Sequence, residues 1–163
     1  LASRGACGVS KMTTRSPSPC SAAITSARNR RRAGGNSVRP PTVESVKNGD
    51  HYIRVNGREV FRFAVQRMAE LLEELARGHE YDEIGLVVPH QVNRRIIDAA
   101  LERVGWTDEK VMVNIQHYGN TSAASVPVAL DEAVRAGRAP KGKLVILVAF
   151  GAGLTWGGAL LRW

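Results

Sequence analysis

The sequence has few cysteines, few aromatic residues and no long apolar run. Its two cysteines, Cys7 and Cys20, do not have the spacing of a metal site and are too few for a disulfide framework. No stretch approaches the ~18–20 apolar residues that a membrane-spanning helix needs, and the first residues lack the apolar core of a secretory signal. These absences predict a cytoplasmic protein with no bound metal and no membrane partner.

Acidic residues are missing from the first quarter of the chain. Residues 1–40 contain eight Lys and Arg and no Asp or Glu, so they account for the whole formal charge of +8. Residues 41–163 are balanced, with 15 basic and 15 acidic side chains. The arginines at positions 28 and 30–32 could contact phosphates, but no aromatic residue that stacks on bases is interleaved with them. We therefore expect no nucleic-acid partner.

Composition also divides the chain into two parts. Residues 1–32 contain no aromatic residue and are rich in Ser, Arg, Ala, Thr and Pro, so they cannot bury enough apolar surface to offset the entropy of ordering. We expect them to be a disordered tail or a stretch that is foreign to the fold. Residues 33–163 have the length and apolar content of one domain.

Within that domain, apolar spacing predicts the element order βαβαβαββ. Strands are expected over 52–55, 84–88, 111–115, 144–150 and 154–161. Helices are expected over about 58–77, from the residues after His90 to Gly105, and after a cap at Thr121 or Ser122 with Pro127 in the first turn. The order is typical of an α/β domain with helices packed on a mixed, mostly parallel sheet.

Two polar residues follow predicted strands at positions where open α/β folds bind ligands. His90 follows the strand over 84–88, and Asn120 lies in the turn after the strand over 111–115. Each residue alone has an ordinary structural interpretation, since a Gly-Asn pair is common in turns for backbone reasons. Together at one edge of a sheet, they form a credible pair of hydrogen-bond donors for an oxyanion.

Other candidates are less specific. Arg62, Arg94 and Arg95 lie on predicted helices, and they either form a solvated face or bind an acidic or phosphate-bearing partner. The glycines at 151 and 153 do not complete a dinucleotide-binding fingerprint, and they more plausibly let backbone N–H groups approach a substrate.

Four segments carry a family resemblance: NGREVF (56–61), HQVNRRI (90–96), HYGNTSAAS (117–125) and AFGAGLTWG (149–157). They resemble, in order, the C-terminal half of β-ketoacyl-acyl-carrier-protein synthase III, a member of the thiolase-like superfamily. The similarity extends from about residue 33 to residue 163.

The resemblance implies a decarboxylative condensation of acyl-CoA with malonyl-acyl carrier protein that initiates fatty-acid synthesis, without a cofactor. It implies that His90 and Asn120 belong to a Cys-His-Asn triad and stabilise the enolate that forms on decarboxylation. It further implies substrate binding at Asn93, Phe150, Gly151 and Gly153, carrier-protein docking at Arg62 and Arg95, and a homodimer in the intact enzyme.

The sequence departs from the family in one respect. The family's nucleophilic cysteine lies in an N-terminal half that this sequence does not contain, and neither Cys7 nor Cys20 has the expected context. We therefore expect a fragment that does not form an acyl-enzyme alone, with a first segment that is frame-shifted or foreign. A related ketide-forming synthase and a non-catalytic CoA- or carrier-protein-binding module are the alternatives.

Overall fold

The structure is a computed structural model that describes residues 8–15, 40–52, 56–151 and 154–163, the first of these stretches by its backbone alone. Its strands are β1 (Gly8–Arg15), β2 (Ile84–Pro89), β3 (Leu144–Gly151) and β4 (Thr155–Arg162). Its α-helices are α1 (Val43–Lys47), α2 (Gly57–Ala76), α3 (Arg94–Val104), α4 (Ile115–Tyr118) and α5 (Ser125–Arg135). No helix in these stretches has the length and apolarity needed to cross a membrane.

Helix α2 confirms the strongest periodic pattern of the sequence. It begins after Asn56, whose side chain accepts a hydrogen bond from the Glu59 amide at 3.4 Å, as an N-cap residue does. Its inward residues recur every three or four positions and are buried: Ala64, Met68, Leu71, Leu72 and Leu75. This stripe packs against α3, β3 and β4.

The unit from β2 to α3 also agrees with the sequence. All residues of β2 except Gly85 are buried, which is the pattern of a strand covered on both faces. Helix α3 is capped by Asn93, which accepts from the Arg95 amide at 3.0 Å. It ends at Gly105, which adopts the left-handed conformation with φ 71° and ψ 26°.

The sheet is mixed, with strand order β1-β4-β3-β2. Strands β2 and β3 are parallel, whereas β3–β4 and β1–β4 are antiparallel. The mixed sheet is as expected, but among the described strands parallel pairing does not predominate. The reason is that β4 follows β3 after a short connection and returns along it, with Thr155 opposite Gly151.

Two expectations for the earlier part of the chain meet the structure only in part. Of the segment 1–32, which we expect to be disordered or foreign to the fold, Gly8–Arg15 forms β1 and pairs with β4 from Gly8 opposite Arg162 to Arg15 opposite Trp156. The strand predicted over 52–55 does not include Tyr52, which lies in a bend, and its other residues lie outside the described stretches.

The strand predicted over 111–115 is wrong. Its pairing with β2 is limited to one bridge, Val87 to Val111, with bonds from Val87 N to Lys110 O and from Met112 N to Val87 O. Beyond that bridge the Gln91 side chain takes the place of a strand: it donates to Met112 O at 3.1 Å and accepts from the Asn114 amide at 3.0 Å. The chain then turns into the short helix α4 rather than continuing along the sheet.

The start of the last helix also differs from the expectation. Neither Thr121 nor Ser122 caps it through a side chain, because Ser122–Ala124 form a 3-10 turn first. Ser125 is the first residue of α5, so Pro127 lies in the first turn, as predicted.

Buried apolar residues form a cluster on each face of the sheet. One joins α2 and α3 to the sheet through residues such as Leu75, Ile97 and Ile146. The other joins α5 to the sheet through Ala129, Ala133, Leu86 and Val145. The sheet is therefore covered on both faces, and a site can form at the polar residues that follow its strands.

Candidate active site

His90 follows β2 directly and is held from several sides. Its backbone N–H donates to Val148 O of β3 at 2.8 Å. His90 is 8% exposed, and its ring stands edge-on to the Phe150 ring, with the ring centroids 5.6 Å apart. Burial lowers the pKa of His90 below its ordinary value of 6.5, because desolvation disfavours the charged imidazolium. The ring is therefore neutral at pH 7, with one nitrogen able to donate and the other to accept.

Ser125 is the hydrogen-bond partner of that ring. Its Oγ lies 2.5 Å from Nδ1 of His90 and also accepts from the Gln91 amide at 3.2 Å. Ser125 is 2% exposed, so both contacts are shielded from solvent. Because Nδ1 is occupied, Nε2 is the ring nitrogen that remains for a ligand.

Asn120 lies on the surface, in the turn between α4 and the 3-10 turn that leads to Ser125. Its Oδ1 accepts from the Ser122 amide at 3.0 Å. Ser122 adopts a positive φ of 56°, which is uncommon for a residue with a side chain and shows that this turn is tightly constrained. The bond to Oδ1 fixes the orientation of the amide, and its NH₂ group is left as the donor.

A buried polar network lies behind these residues. Gln91 is 1% exposed and uses both ends of its amide, donating to Pro89 O at 2.7 Å and to Met112 O while accepting from Asn114 N. Asn114 is 2% exposed and donates from Nδ2 to Glu132 of α5 at 2.7 Å. The network therefore ties the end of β2, which precedes His90, to the segment before α4 and to α5. The first of these segments leads through α4 to Asn120, and α5 begins with Ser125.

The predicted substrate-binding residues are placed differently from one another. Phe150 contacts His90, as described above, and Gly151 ends β3. Asn93 is exposed and caps α3 through its Oδ1. Gly153 lies outside the described residues.

The three candidate arginines also differ in their surroundings. Arg94 donates to Asp108 at 2.9 Å and to Asp98 at 2.6 Å, and these hydrogen bonds raise the pKa of its guanidinium above the ordinary value. Arg95 is exposed, and its guanidinium carbon is 5.9 Å from the centroid of the Phe61 ring. Arg62 is exposed on α2. Of these three arginines, Arg62 and Arg95 have no ion pair among the described residues.

Within the described stretches, no group of three or more His, Cys, Asp and Glu side chains is placed to hold a metal ion. A half-open pocket of about 210 Å³ lies elsewhere, lined by Glu70, Leu71, Glu73, Glu74, Arg77 and Trp156. None of the described residues among the predicted site residues lines this pocket.

Reasoning from the sequence did not single out Ser125, Gln91, Asn114 or Glu132. Ser125 falls inside the segment HYGNTSAAS, but a serine near a helix start is ordinarily explained as a cap. Gln91 had a weak signal, because a polar residue immediately after a buried strand and a site histidine must find buried partners. The pairing of Asn114 with Glu132 joins two distant segments and has no signature in one sequence.

Comparison with solved structures gives the class of the fold. The β-ketoacyl-acyl-carrier-protein synthase III of Thermus thermophilus superposes with a TM-score of 0.77 at 43% identity, over 98% of this chain and 47% of that one. The fold with its buried histidine is therefore the C-terminal half of a thiolase-like fold, as the sequence predicted.

Comparison of sequences gives the family. The family described as "3-Oxoacyl-[acyl-carrier-protein (ACP)] synthase III C terminal" matches residues 75–163. The β-ketoacyl-acyl-carrier-protein synthase III of Symbiobacterium thermophilum is 51% identical over 133 residues, which are 80% of this chain. That of Natranaerobius thermophilus is 47% identical over 131 residues, which are 79% of this chain. The chain belongs to this synthase III family, and it spans 40% of the length of each of these two relatives.

Proposed function

We propose that this chain supplies the histidine and asparagine half of a β-ketoacyl-acyl-carrier-protein synthase III active site. The reaction is the condensation of an acyl group from acyl-CoA with malonyl-acyl carrier protein, with loss of CO₂. The nucleophilic cysteine of the reaction belongs to the other half of the fold. A cytoplasmic location and a homodimer of the intact enzyme are parts of the same proposal.

The observation that carries the proposal is the state of the two candidate donors. His90 is buried and neutral, and its Nδ1 is occupied by Ser125. Asn120 has its Oδ1 occupied by the Ser122 amide, so its NH₂ group is available. Each side chain is thus held through one polar atom and can donate from the other without being charged.

Two neutral donors suit the chemistry of decarboxylation. When the bond between the malonyl C2 and its carboxylate breaks, the electron pair moves into the thioester and negative charge develops on its oxygen. Donors at that oxygen stabilise the enolate more than they stabilise the neutral thioester, so they lower the barrier. The enolate carbon then attacks the acyl carbonyl carbon on the cysteine of the other half, and the thiolate leaves.

The basic residues at the surface support an acidic macromolecular substrate. Arg62 and Arg95 are exposed, whereas Arg94 is engaged by Asp98 and Asp108. Exposed guanidinium groups without a carboxylate partner can form charge-assisted hydrogen bonds with the carboxylates of a carrier protein. We propose Arg62 and Arg95 as docking residues, and Asn93, Phe150, Gly151 and Gly153 as residues that contact the substrate.

A chimera tests the function directly. Residues 33–163 would replace the matching part of the Symbiobacterium thermophilum relative, which supplies the rest of the fold. We expect the chimera to condense an acyl-CoA with malonyl-acyl carrier protein. We expect His90→Ala and Asn120→Ala each to lower the decarboxylation rate about 10²–10³-fold, the usual cost of one oxyanion donor.

The matched control is His117→Ala. His117 is the exposed histidine of the same segment, and its ring contacts Tyr118 rather than the buried site. Its replacement should change the rate only a few-fold, and all variants should still form the acyl-enzyme on the cysteine. A folded, acylated chimera that does not release CO₂ from malonyl-acyl carrier protein would contradict the proposal.

A further inference from the structure

We propose that Ser125 sets the tautomer of His90 by donating its hydroxyl proton to Nδ1, so that the ring hydrogen resides on Nε2. This makes Ser125 a positioning residue for the candidate donor. The role of His90 as a donor in the reaction rests on the proposed function, but its tautomer is a property of the chain itself.

The hydrogen-bond inventory of Ser125 carries this assignment. A serine hydroxyl has one proton and two acceptor lone pairs. The backbone N–H of Gln91 can only donate, and its nitrogen lies 3.2 Å from Oγ, so one lone pair of Ser125 accepts from it. The hydroxyl proton then needs an acceptor, and the other polar atom in contact with Oγ is Nδ1 of His90 at 2.5 Å.

The opposite tautomer leaves the site unsatisfied. If Nδ1 carried the hydrogen, Ser125 would accept two hydrogen bonds, from the ring and from Gln91. Its own proton would then have no acceptor among the described contacts, although Ser125 is 2% exposed. A buried donor without a partner is destabilising, and this decides between two tautomers that are otherwise similar in energy.

The surroundings of the ring also oppose a half-turn of the imidazole that would place a carbon where Nδ1 now lies. The backbone of His90 is bound to Val148 O at 2.8 Å, and the ring stands edge-on to Phe150. A half-turn about the Cβ–Cγ bond would break the contact with Ser125 and bring a carbon of the ring against Oγ. The same nitrogen therefore faces Ser125, and Nε2–H faces away from it.

This tautomer is the one that decarboxylation needs. Nε2–H can donate to an oxygen on which negative charge develops, whereas an unprotonated Nε2 would direct a lone pair at it. Ser125 thus binds Nδ1 of His90, the ring nitrogen that does not face the substrate, and so determines that Nε2 carries the hydrogen.

Nitrogen NMR of the full chain, labelled with ¹⁵N on histidine, measures the tautomer without any substrate. The chain has four histidines, and the signals of His90 are identified by their loss in His90→Gln. Above about pH 7.5, where a histidine of ordinary pKa is neutral, we expect Nδ1 at the position of an unprotonated nitrogen and Nε2 at that of a protonated one. Ser125→Ala should move both signals toward each other as the Nδ1–H form becomes populated, and Ser125→Thr, which keeps the hydroxyl, should restore them.

The control is Ser122→Ala, which removes an exposed hydroxyl from the same turn and leaves the backbone amide that binds Asn120. It should leave the His90 signals unchanged. A wild-type chain with the hydrogen on Nδ1 would overturn the proposal, and this measurement decides even if Ser125→Ala does not fold. A folded Ser125→Ala chain with unchanged signals would overturn it as well. Failure of the function is separate, because a chimera that does not decarboxylate says nothing about the protonated nitrogen.

Discussion

Asn114 donates from Nδ2 to Oε2 of Glu132 across 2.7 Å, and this one bond joins the segment that enters α4 to the middle of α5. The first of these elements leads to Asn120 and the second begins with Ser125. Asn114 is 2% exposed and Glu132 is partly buried, so neither group can be satisfied by solvent as fully as a surface pair can. The bond therefore fixes the spacing of two elements on which the candidate site depends.

Replacing Asn114 with alanine should lower the free energy of unfolding by about 1–3 kcal/mol, because it leaves the Glu132 carboxylate without its buried donor. Urea denaturation of the two chains measures the difference. The control is Asp131→Ala, which breaks an exposed pair with Arg135 at 2.8 Å on the same helix and should cost less than about 1 kcal/mol. Equal losses for the two variants would show that burial does not matter here.

Gln91 should be harder to replace than its neighbours on the surface. Gln91→Met keeps the approximate shape of the side chain but leaves Pro89 O, Met112 O and Asn114 N without their partner. We expect a loss of at least about 2 kcal/mol in the free energy of unfolding, since each buried unsatisfied group costs about 1–3 kcal/mol.

The matched control for Gln91 is Gln116→Met. Gln116 is exposed and makes one long bond to Val113 O at 3.4 Å, so its loss should change the stability by about 0.5 kcal/mol or less. The prediction for Gln91 fails if hydrogen exchange of the Asn114 amide is as slow in Gln91→Met as in the wild type.

The contrast between α2 and the segment over 111–115 shows how far one sequence determines the fold. Helix α2 follows from local rules, since a repeating apolar stripe and an Asn cap act within a few residues of each other. The apolar run from Val111 satisfies the local rules for a strand equally well. It is prevented from becoming one by Gln91, a residue distant in sequence whose side chain replaces the strand partner. Secondary structure that depends on such a contact cannot be read from local spacing.

The candidate site divides in the same way. His90 was found because it follows a buried strand, and the structure places it there. Its expected proximity to Asn120 at one sheet edge stays a prediction, although the turn of Asn120 leads directly to the Ser125 that binds His90. The contact of Ser125 with His90 could not be predicted, because the sequence shows that a serine is present but not in which direction its hydroxyl points.

Gly158 tests the packing of α2 on β4. A Cβ atom at this position would lie 2.6 Å from Leu75 Cδ1 and 2.8 Å from Leu147 O, and the carbonyl cannot move without disturbing the sheet. We expect Gly158→Ala to lower the free energy of unfolding by about 1–3 kcal/mol. Gly57→Ala is the control, because a Cβ there meets nothing within 4 Å at the start of α2 and alanine favours the helix by up to about 1 kcal/mol. The midpoint temperature of thermal unfolding should therefore be lower than that of the wild type for Gly158→Ala and higher for Gly57→Ala.

The buried state of His90 makes stability depend on pH with a definite sign. Because burial lowers its pKa in the folded chain below 6.5, the unfolded chain binds a proton first as the pH falls. The contribution of neutral His90 to stability is complete above pH 6.5, and it is lost progressively between 6.5 and the lower pKa of the folded chain. The free energy of unfolding should therefore fall as the pH is lowered across this interval, with a steeper slope in the wild type than in His90→Gln, which has no titrating group at this position. Urea denaturation at several pH values measures both slopes. Equal slopes, or an imidazole of His90 that titrates by NMR at or above its ordinary value, would show that the site does not hold the ring neutral.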